Sequence, residues 1–200
     1  MPMLEQRIQQ QFFESADLLS QTAEALSKPI AQAGQALFGC LTAGGKLLLC
    51  GSGAAAVLAQ YGAALLVGRF ERARPGLAAL AIGTDAALMA GLADSADPSQ
   101  SLATQVLTLG APGDVLLAIS TGSPAPALTA AVRAAQSKDM TVVALTGGEA
   151  GELAAQLGET DVHIAVLHER AARIHEIHTL ILHCLCDAVD LQLLGEQDAV

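Results

Sequence analysis

The chain of 200 residues has no tryptophan, one tyrosine and four phenylalanines, although 52% of it is hydrophobic. A buried core must therefore be built from aliphatic side chains. Basic residues are also scarce, because 10 lysines and arginines are outnumbered by 20 aspartates and glutamates, which leaves a net charge of −10. Since nucleic-acid phosphates and anionic membranes attract clustered basic residues, this deficit argues against direct binding to either. A small ligand, or a neutral or basic protein, is the expected partner.

Cysteine is limited to four residues, and no two of them form a Cys-x-x-Cys pair. Cys184 and Cys186 would lie on opposite sides of a helix, which is a poor geometry for sharing a metal ion. Reduced, buried thiols in a cytosolic protein are therefore predicted for Cys40, Cys50, Cys184 and Cys186.

Two kinds of membrane-directed segment are also missing. Residues 1–10 are polar and charged, so no signal peptide is predicted in them. Residues 47–68 carry no charge, but Gly51, Gly53 and Gln60 interrupt the run. This segment predicts a buried strand followed by a helix, and the predicted location is the cytoplasm.

Periodicity and turn residues divide the chain into alternating elements. Apolar residues at helical spacing predict a helix from Leu4 to Leu26, and Pro29 predicts the start of a second helix that ends near Ala43. Short apolar runs then predict strands at 46–50, 80–82, 114–120, 140–146 and 162–166. The segments between them predict helices at 53–67, 85–92, 98–109, 124–137, 152–157 and 170–194.

This alternation of apolar strands and helices indicates a parallel sheet that is covered on both faces. The predicted fold class is α/β, a doubly wound five-stranded parallel sheet in a flavodoxin-like αβα sandwich. Extra N-terminal helices and a long C-terminal helix are added to it. We predict one domain over residues 1–200, in which 1–43 pack between subunits and 44–194 form the sandwich.

Two loops follow strands at the edge where such sheets bind ligands. The first is Gly51-Ser52-Gly53, where a glycine-rich turn opens a helix and its free N–H groups favour an anion. A plain tight turn is the alternative, because Gly-x-Gly alone is a weak motif. The second is the segment 120–126, in which Ser120 and Thr121 end a strand and Ser123 is predicted to cap a helix beginning at Pro124. Its two prolines remove two N–H donors that would hold a phosphate.

Several stretches of the chain resemble the sugar isomerase (SIS) domain family, of the phosphoheptose isomerase type. They are GGKLLLCGSG (44–53), GRFERARPGLAALAI (68–82), GDVLLAISTGS (113–123), MTVVALTGGEAGELA (140–154) and ARIHEIHTLILHCLCD (172–187). Within the family, AISTGS, VALTG and CLCD are similar to the DiaA branch, whose members bind the replication initiator DnaA.

The resemblance implies a homotetramer that binds a phosphosugar near its subunit interfaces. It also implies aldose–ketose isomerisation through an enediol, with a glutamate base, a histidine acid/base and zinc. The phosphosugar-binding residues that it implies are Gly51, Ser52, Gly53, Ser120, Thr121, Ser123 and Asp94.

The catalytic positions of the family are only partly retained. Tyr61 occupies the position of a metal-binding histidine, and Leu65 that of the catalytic glutamate. His183 matches the histidine of the last helix and is a remnant acid/base, and His175 replaces a metal-site glutamine. Because leucine cannot accept a proton, ordinary isomerase activity is predicted to be lost.

A metal site on the last helix is weakly indicated. His175 and His178 are three residues apart and share a face, whereas His175 and His183 are about 12 Å apart along the axis. Zinc bound by His175 and His183 would need another ligand, so we predict no cofactor, and buried or interface histidines are the alternative.

Two hypotheses follow for function. One is a non-catalytic homotetramer that binds DnaA through Leu193 and Leu194 and promotes its assembly at the origin; these leucines match a hydrophobic pair of the DiaA branch. In that case the leucines would be exposed, although closing the helix end against the body is the alternative for them. The other hypothesis is a phosphoheptose isomerase acting on sedoheptulose 7-phosphate, or a sugar-phosphate sensor.

Overall fold

A computed structural model of the protein describes residues 2–94, 97–122, 124–148 and 151–196. The strands are β1 (Leu47–Gly51), β2 (Ala79–Ala81), β3 (Val115–Ile119), β4 (Thr141–Gly147) and β5 (Val162–Val166). The helices are α1 (Pro2–Thr42), α2 (Ala55–Val67), α3 (Ala86–Ala93), α4 (Ser101–Leu109), α5 (Pro126–Ser137), α6 (Gly151–Ala155) and α7 (Ala171–Leu194). A 3₁₀ turn at Pro98–Gln100 precedes α4.

The five strands form one parallel sheet in the order β2-β1-β3-β4-β5, which confirms the predicted fold class. Leu49 of β1 pairs with Leu117 of β3, and the last residue of β1, Gly51, pairs with Ile119. The direction of winding reverses between β1 and β3, since β2 lies on one side of β1 and β3 on the other. The carboxyl ends of β1 and β3 therefore border the position where such sheets bind ligands.

The core lies on both faces of the sheet and is aliphatic, as the composition requires. One face carries α1, α2 and α7, and its buried cluster includes Leu37, Leu49 and Ile181. The other carries α4 and α5, with Leu116 and Leu128 in its cluster. No aromatic side chain occurs among the buried hydrophobic residues of the described ranges.

The N-terminal region differs from the prediction, because α1 is one helix of 41 residues with Pro29 inside it rather than two helices. A proline within a helix costs about 3 kcal/mol, since it removes one backbone hydrogen bond and crowds the preceding turn. Packing on α7 offsets this cost on both sides of the proline. Leu18 and Leu37 are both buried, and a Cβ added to Gly34 would lie 2.9 Å from the Cβ of Ala188.

The apolar segments that resemble membrane spans lie within the sandwich. Residues 47–68 form β1 and α2, as predicted. Among the described residues, α7 is the one helix long and apolar enough to cross a membrane, and 44% of its most apolar window is buried in the fold. All four cysteines are free, but Cys184 is exposed, contrary to the prediction, because it borders a cleft between α1 and α7.

Candidate functional site

The loop after β1 is a tight turn that admits no side chain at its first glycine. A Cβ on Gly51 would lie 2.3 Å from the carbonyl carbon of Ala55, and Gly53 has a φ of +57°. The N–H groups of Ala55 and Ala56 donate to Ser52 and Gly53 at 3.1 Å, so part of the helix start is satisfied within the turn. The backbone can thus approach a ligand closely, but it offers fewer free donors than the sequence suggests.

The loop after β3 is held against β4. Ser120 is buried, its N–H donates to the carbonyl of Leu145 at 2.9 Å, and its Oγ accepts from the N–H of Gly122 at 3.3 Å. Gly122 has a φ of +101°, and a Cβ there would lie 2.0 Å from the carbonyl oxygen of Gly147. The neighbouring Thr121 is half-buried.

The start of α5 was predicted wrongly, since the helix begins at Pro126 rather than Pro124. Ala125 precedes it with φ −132° and ψ 70°. A residue before proline avoids helical geometry, so Pro126 keeps Ala125 outside the helix. The predicted cap Ser123 lies outside the described residues.

The two loops lie side by side at the carboxyl edge of the sheet. The N–H of Ser52 donates to the carbonyl of Ile119 at 3.1 Å, which ties the β1 loop to the strand that carries Ser120 and Thr121. Gly51, Ser52, Gly53, Ser120 and Thr121 are thus brought together. Asp94 is exposed in the turn after α3. Because α3 has eight residues, Asp94 lies at the far end of this helix, about 12 Å along the helix axis from its first residue.

Tyr61 and His183 form a second cluster, between α2 and α7. The hydroxyl of Tyr61 is hydrogen bonded to Nε2 of His183 at 2.9 Å, and the two rings meet edge to face with centroids 5.7 Å apart. The ring of Phe70 lies on His183 with a centroid distance of 5.5 Å. The sequence identified Tyr61 and His183 separately; their direct contact arises only when α2 and α7 pack on the same face of the sheet.

This cluster does not fit the zinc site that the family resemblance implies. Nε2 of His183 is engaged by Tyr61, and Leu65, one turn beyond Tyr61, offers no ligand atom and packs against the core. Within the described ranges, no three His, Cys, Asp or Glu side chains are grouped so as to hold a metal ion. His175 is half-buried and lies two turns before His183, so the pair considered from the sequence does not form a site by itself.

His178 has a structural role that its spacing from His175 did not reveal. It is fully buried, and its Nε2 donates to the carbonyl of Thr146 at 3.1 Å, while Nδ1 has no partner. Burial lowers the pKa of His178 to about 4, although the hydrogen bond to Thr146 opposes this shift. His178 is therefore neutral at physiological pH, and the nitrogen that would be needed for a chelate with His175 is reduced to Nδ1, since Nε2 donates to Thr146. The hydroxyl of Thr146 is in turn hydrogen bonded to Nε2 of His163 at 2.8 Å.

The carboxyl end of α7 carries exposed leucines on a firmly held helix. Leu193 and Leu194 are 37% and 41% exposed. Arg72 donates to the carbonyl of Gly195 at 2.7 Å. Arg74 forms a fully buried ion pair with Asp190, which the sequence reasoning missed because the partners are more than 100 residues apart.

A cleft of about 480 Å³ runs between α1 and α7 and reaches His183. Its walls include Phe12, Leu19 and Leu180, and its polar groups include Arg173 and Glu176, which form an ion pair. The residues that line it come from the two helices and not from the loops after β1 and β3. The residues that line this cleft are thus different from those of the loops after β1 and β3.

The sequence of the chain is similar to those of known sugar isomerase domains. A model of the SIS domain matches residues 11–147. A phosphoheptose isomerase of Methylibium petroleiphilum is 62% identical over 198 residues, 99% of each chain. A DnaA initiator-associating protein DiaA of Klebsiella pneumoniae is 45% identical over 192 residues, which is 96% of this chain and 98% of that protein.

Solved structures give the same result. A phosphoheptose isomerase from Neisseria gonorrhoeae has a TM-score of 0.88 at 38% identity and covers 94% of this chain and 98% of its own. One from Francisella tularensis has a TM-score of 0.90 at 39% identity, covering 95% and 99%. Both branches indicated by the sequence motifs are therefore represented, and the relative of higher identity carries the isomerase name.

Proposed function

The chain belongs to the SIS domain family, and from this premise we propose that it binds a phosphorylated sugar at the loops after β1 and β3. The observation that carries the proposal is the direct pairing of these loops by the hydrogen bond from Ser52 to Ile119, beside Gly51 and Gly122, where a side chain would have no room. An edge lined by glycines in this way lets backbone N–H groups and hydroxyls reach a phosphate.

The expected ligand is a sugar phosphate of the kind that gives phosphoheptose isomerases their name, such as sedoheptulose 7-phosphate. Ser52, Ser120 and Thr121 supply hydroxyls for the phosphate, and Gly51 and Gly53 allow close approach of the backbone. The proposal keeps the homotetramer implied by the family and the cytoplasmic location predicted from the reduced cysteines.

Isomerisation of this sugar is the activity that the name of the 62% identical relative favours. The reaction moves a proton between neighbouring carbons and requires a general base. Leu65 cannot serve, and losing a general base costs about 10²–10⁴ in rate. We therefore propose that the chain binds the sugar phosphate, with His183 as the remaining acid/base, and that its turnover is slow because no general base stands at position 65.

Calorimetric titration with sedoheptulose 7-phosphate tests the binding site. Ser120→Ala is expected to weaken binding about tenfold or more, because a hydrogen bond to a charged group is worth about 1.5–3 kcal/mol. Ser137→Ala is the matched control, since that hydroxyl caps the far end of α5 by donating to Ala134. Absence of binding by the parent, or equal affinity of the Ser120 variant, would contradict the proposal.

Turnover is measured on the same samples with and without zinc. We expect little product from the parent and an increase with Leu65→Glu, which returns a carboxylate to the same face of α2 as Tyr61. Rapid turnover by the parent would establish the isomerase and refute the view that this site lacks its base.

A second candidate function, binding of the DnaA initiator, is favoured by the exposure of Leu193 and Leu194 at the end of α7. The 45% identical DiaA relative supports it. In a tetramer, several copies of the pair would raise avidity for initiator molecules arrayed on DNA. Because of its net charge of −10, the protein itself would be repelled by the phosphates of the DNA and would not compete with DnaA for them.

Capture of purified DnaA by the immobilised protein tests this function. The double variant Leu193→Ala/Leu194→Ala is expected to lose most of the capture. Leu107→Ala is the control, because Leu107 is 50% exposed on α4, on the other face of the sheet. If the parent captures no DnaA, or the double variant captures as much as the parent, the initiator hypothesis is wrong.

A further inference from the structure

We propose that the hydrogen bond between Tyr61 and His183 takes the place of a metal ion in joining α2 to α7, so that this protein has no resident metal ion. The inference goes beyond sugar-phosphate binding, since it concerns how the protein holds its helices together. The side chains at the position of the zinc expected for the family do not match the ligands that zinc requires.

The contact leaves Nε2 of His183 without a free lone pair for a metal ion. The oxygen of Tyr61 lies 2.9 Å from this atom. If the phenol donates, the hydrogen bond uses the nitrogen lone pair; if the imidazole donates, Nε2 carries a proton and has no lone pair. In both cases a metal ion would have to break the hydrogen bond.

Tyr61 is itself a poor substitute ligand. Zinc in proteins is bound by cysteine sulfur, histidine nitrogen or carboxylate oxygen, and a tyrosine hydroxyl is not among these usual ligands. Leu65, one turn further along α2, faces the same side as Tyr61 with a hydrocarbon chain. Two of the expected ligand positions thus offer no strong donor.

The imidazole of His183 also contacts a second aromatic ring. Phe70 lies on the ring of His183 at a centroid distance of 5.5 Å and an interplanar angle of 30°, while Tyr61 meets the ring at 69°. Phe70 belongs to the segment between α2 and β2, so three parts of the chain meet at one histidine. Two ring contacts and one hydrogen bond give the imidazole a defined orientation without a metal ion.

Metal content provides the first test. The purified protein is incubated with excess zinc, desalted and analysed for bound zinc, and we expect well below one zinc per chain. EDTA is expected to leave the Tm unchanged. Tyr61→Phe keeps the ring and removes only the hydroxyl, so it should lower the Tm by about 2–4 °C without changing the zinc content. One zinc per chain in the parent that is lost in His183→Asn would overturn the inference.

Restoring the missing ligands provides the second test. Tyr61→His with Leu65→Glu places an imidazole and a carboxylate opposite His183, and this double variant should bind about one zinc per chain and become sensitive to EDTA. The same double variant with His183→Asn is the control and should lose the zinc. A folded double variant that takes up no zinc would refute the assignment of this cluster to the metal position. No sugar is used, so these outcomes are independent of phosphosugar binding.

Discussion

Protonation of one buried histidine is expected to destabilise this protein between pH 6.5 and pH 4. His178 is 0% exposed and donates from Nε2 to the carbonyl of Thr146. Burial lowers the pKa of His178 from 6.5 to about 4, and the charge of nearby His175 adds to the shift, while the hydrogen bond to Thr146 opposes it. The folded protein therefore binds the proton more weakly than the unfolded chain does.

The sign and size of the effect follow from linkage. Because the pKa is lower in the folded state, the stabilisation is fully present above the unfolded pKa and is lost as the pH falls toward the folded one. A shift from 6.5 to about 4 corresponds to about 3 kcal/mol, at 1.36 kcal/mol per pH unit. This is a large share of the roughly 5–15 kcal/mol that stabilises a typical domain.

Other groups can be separated from this effect. Burial also lowers the pKa of His163, so its protonation destabilises in the same direction. Burial raises the pKa of the Asp114 carboxyl, but hydrogen bonds from Lys46 and Ala111 together lower it by more. The net effect is a pKa below the ordinary value of 3.8. Its stabilising effect is therefore lost at lower pH than that of His178.

Equilibrium urea unfolding at pH 7, 6, 5 and 4.5 measures the effect, at one fixed protomer concentration because association shifts apparent stability. The parent should lose about 2–3 kcal/mol more than His178→Gln over this range. His163→Gln is the matched control and should keep most of the parent's pH dependence. If the parent and His178→Gln lose the same free energy, His178 is not the source and the reasoning fails.

Three further changes test other contacts. Asp190→Asn should reduce the free energy of unfolding by about 3–5 kcal/mol, because it leaves Arg74 buried without its counter-charge, and urea unfolding would show whether the loss is this large. Gly122→Ala should weaken sugar-phosphate binding at least tenfold in calorimetry, since its Cβ would collide with the carbonyl of Gly147; unchanged affinity would mean that the loop is not part of the site. Pro29→Ala should raise the Tm, because it restores a backbone hydrogen bond within α1 and relieves the crowding of the preceding turn, which together cost about 3 kcal/mol; a lower Tm would show that the proline favours the native helix.

Strand positions could be predicted from the sequence because each strand of a parallel sheet is buried on both faces. The runs at 46–50, 80–82, 114–120 and 140–146 match the observed strands to within one residue at each end, and 162–166 matches β5 in full. Glycine and proline marked the turns between them. The same logic placed Gly51, Ser52, Ser120 and Thr121 at one edge of the sheet.

Helix ends and interruptions were less certain because packing can override local preference. Pro29 is a typical helix start, yet burial of Leu18 and Leu37 on either side of it keeps α1 continuous. In the loop after β3, either Pro124 or Pro126 could have begun α5. The helix begins at Pro126 because a residue before proline avoids helical backbone angles, which keeps Ala125 outside the helix. The sequence alone did not indicate which of the two prolines begins the helix.

Residue identities determined that this chain has leucine where a proton acceptor is expected and tyrosine where a metal ligand is expected, since no fold can make a leucine side chain accept a proton. Only the tertiary structure decided that Tyr61 meets His183, that His178 turns inward to Thr146, and that Arg74 finds Asp190. These contacts join residues between 32 and 122 positions apart. Local periodicity carries no information about such distances along the chain, whereas the winding of helices around the sheet fixes which side chains become neighbours.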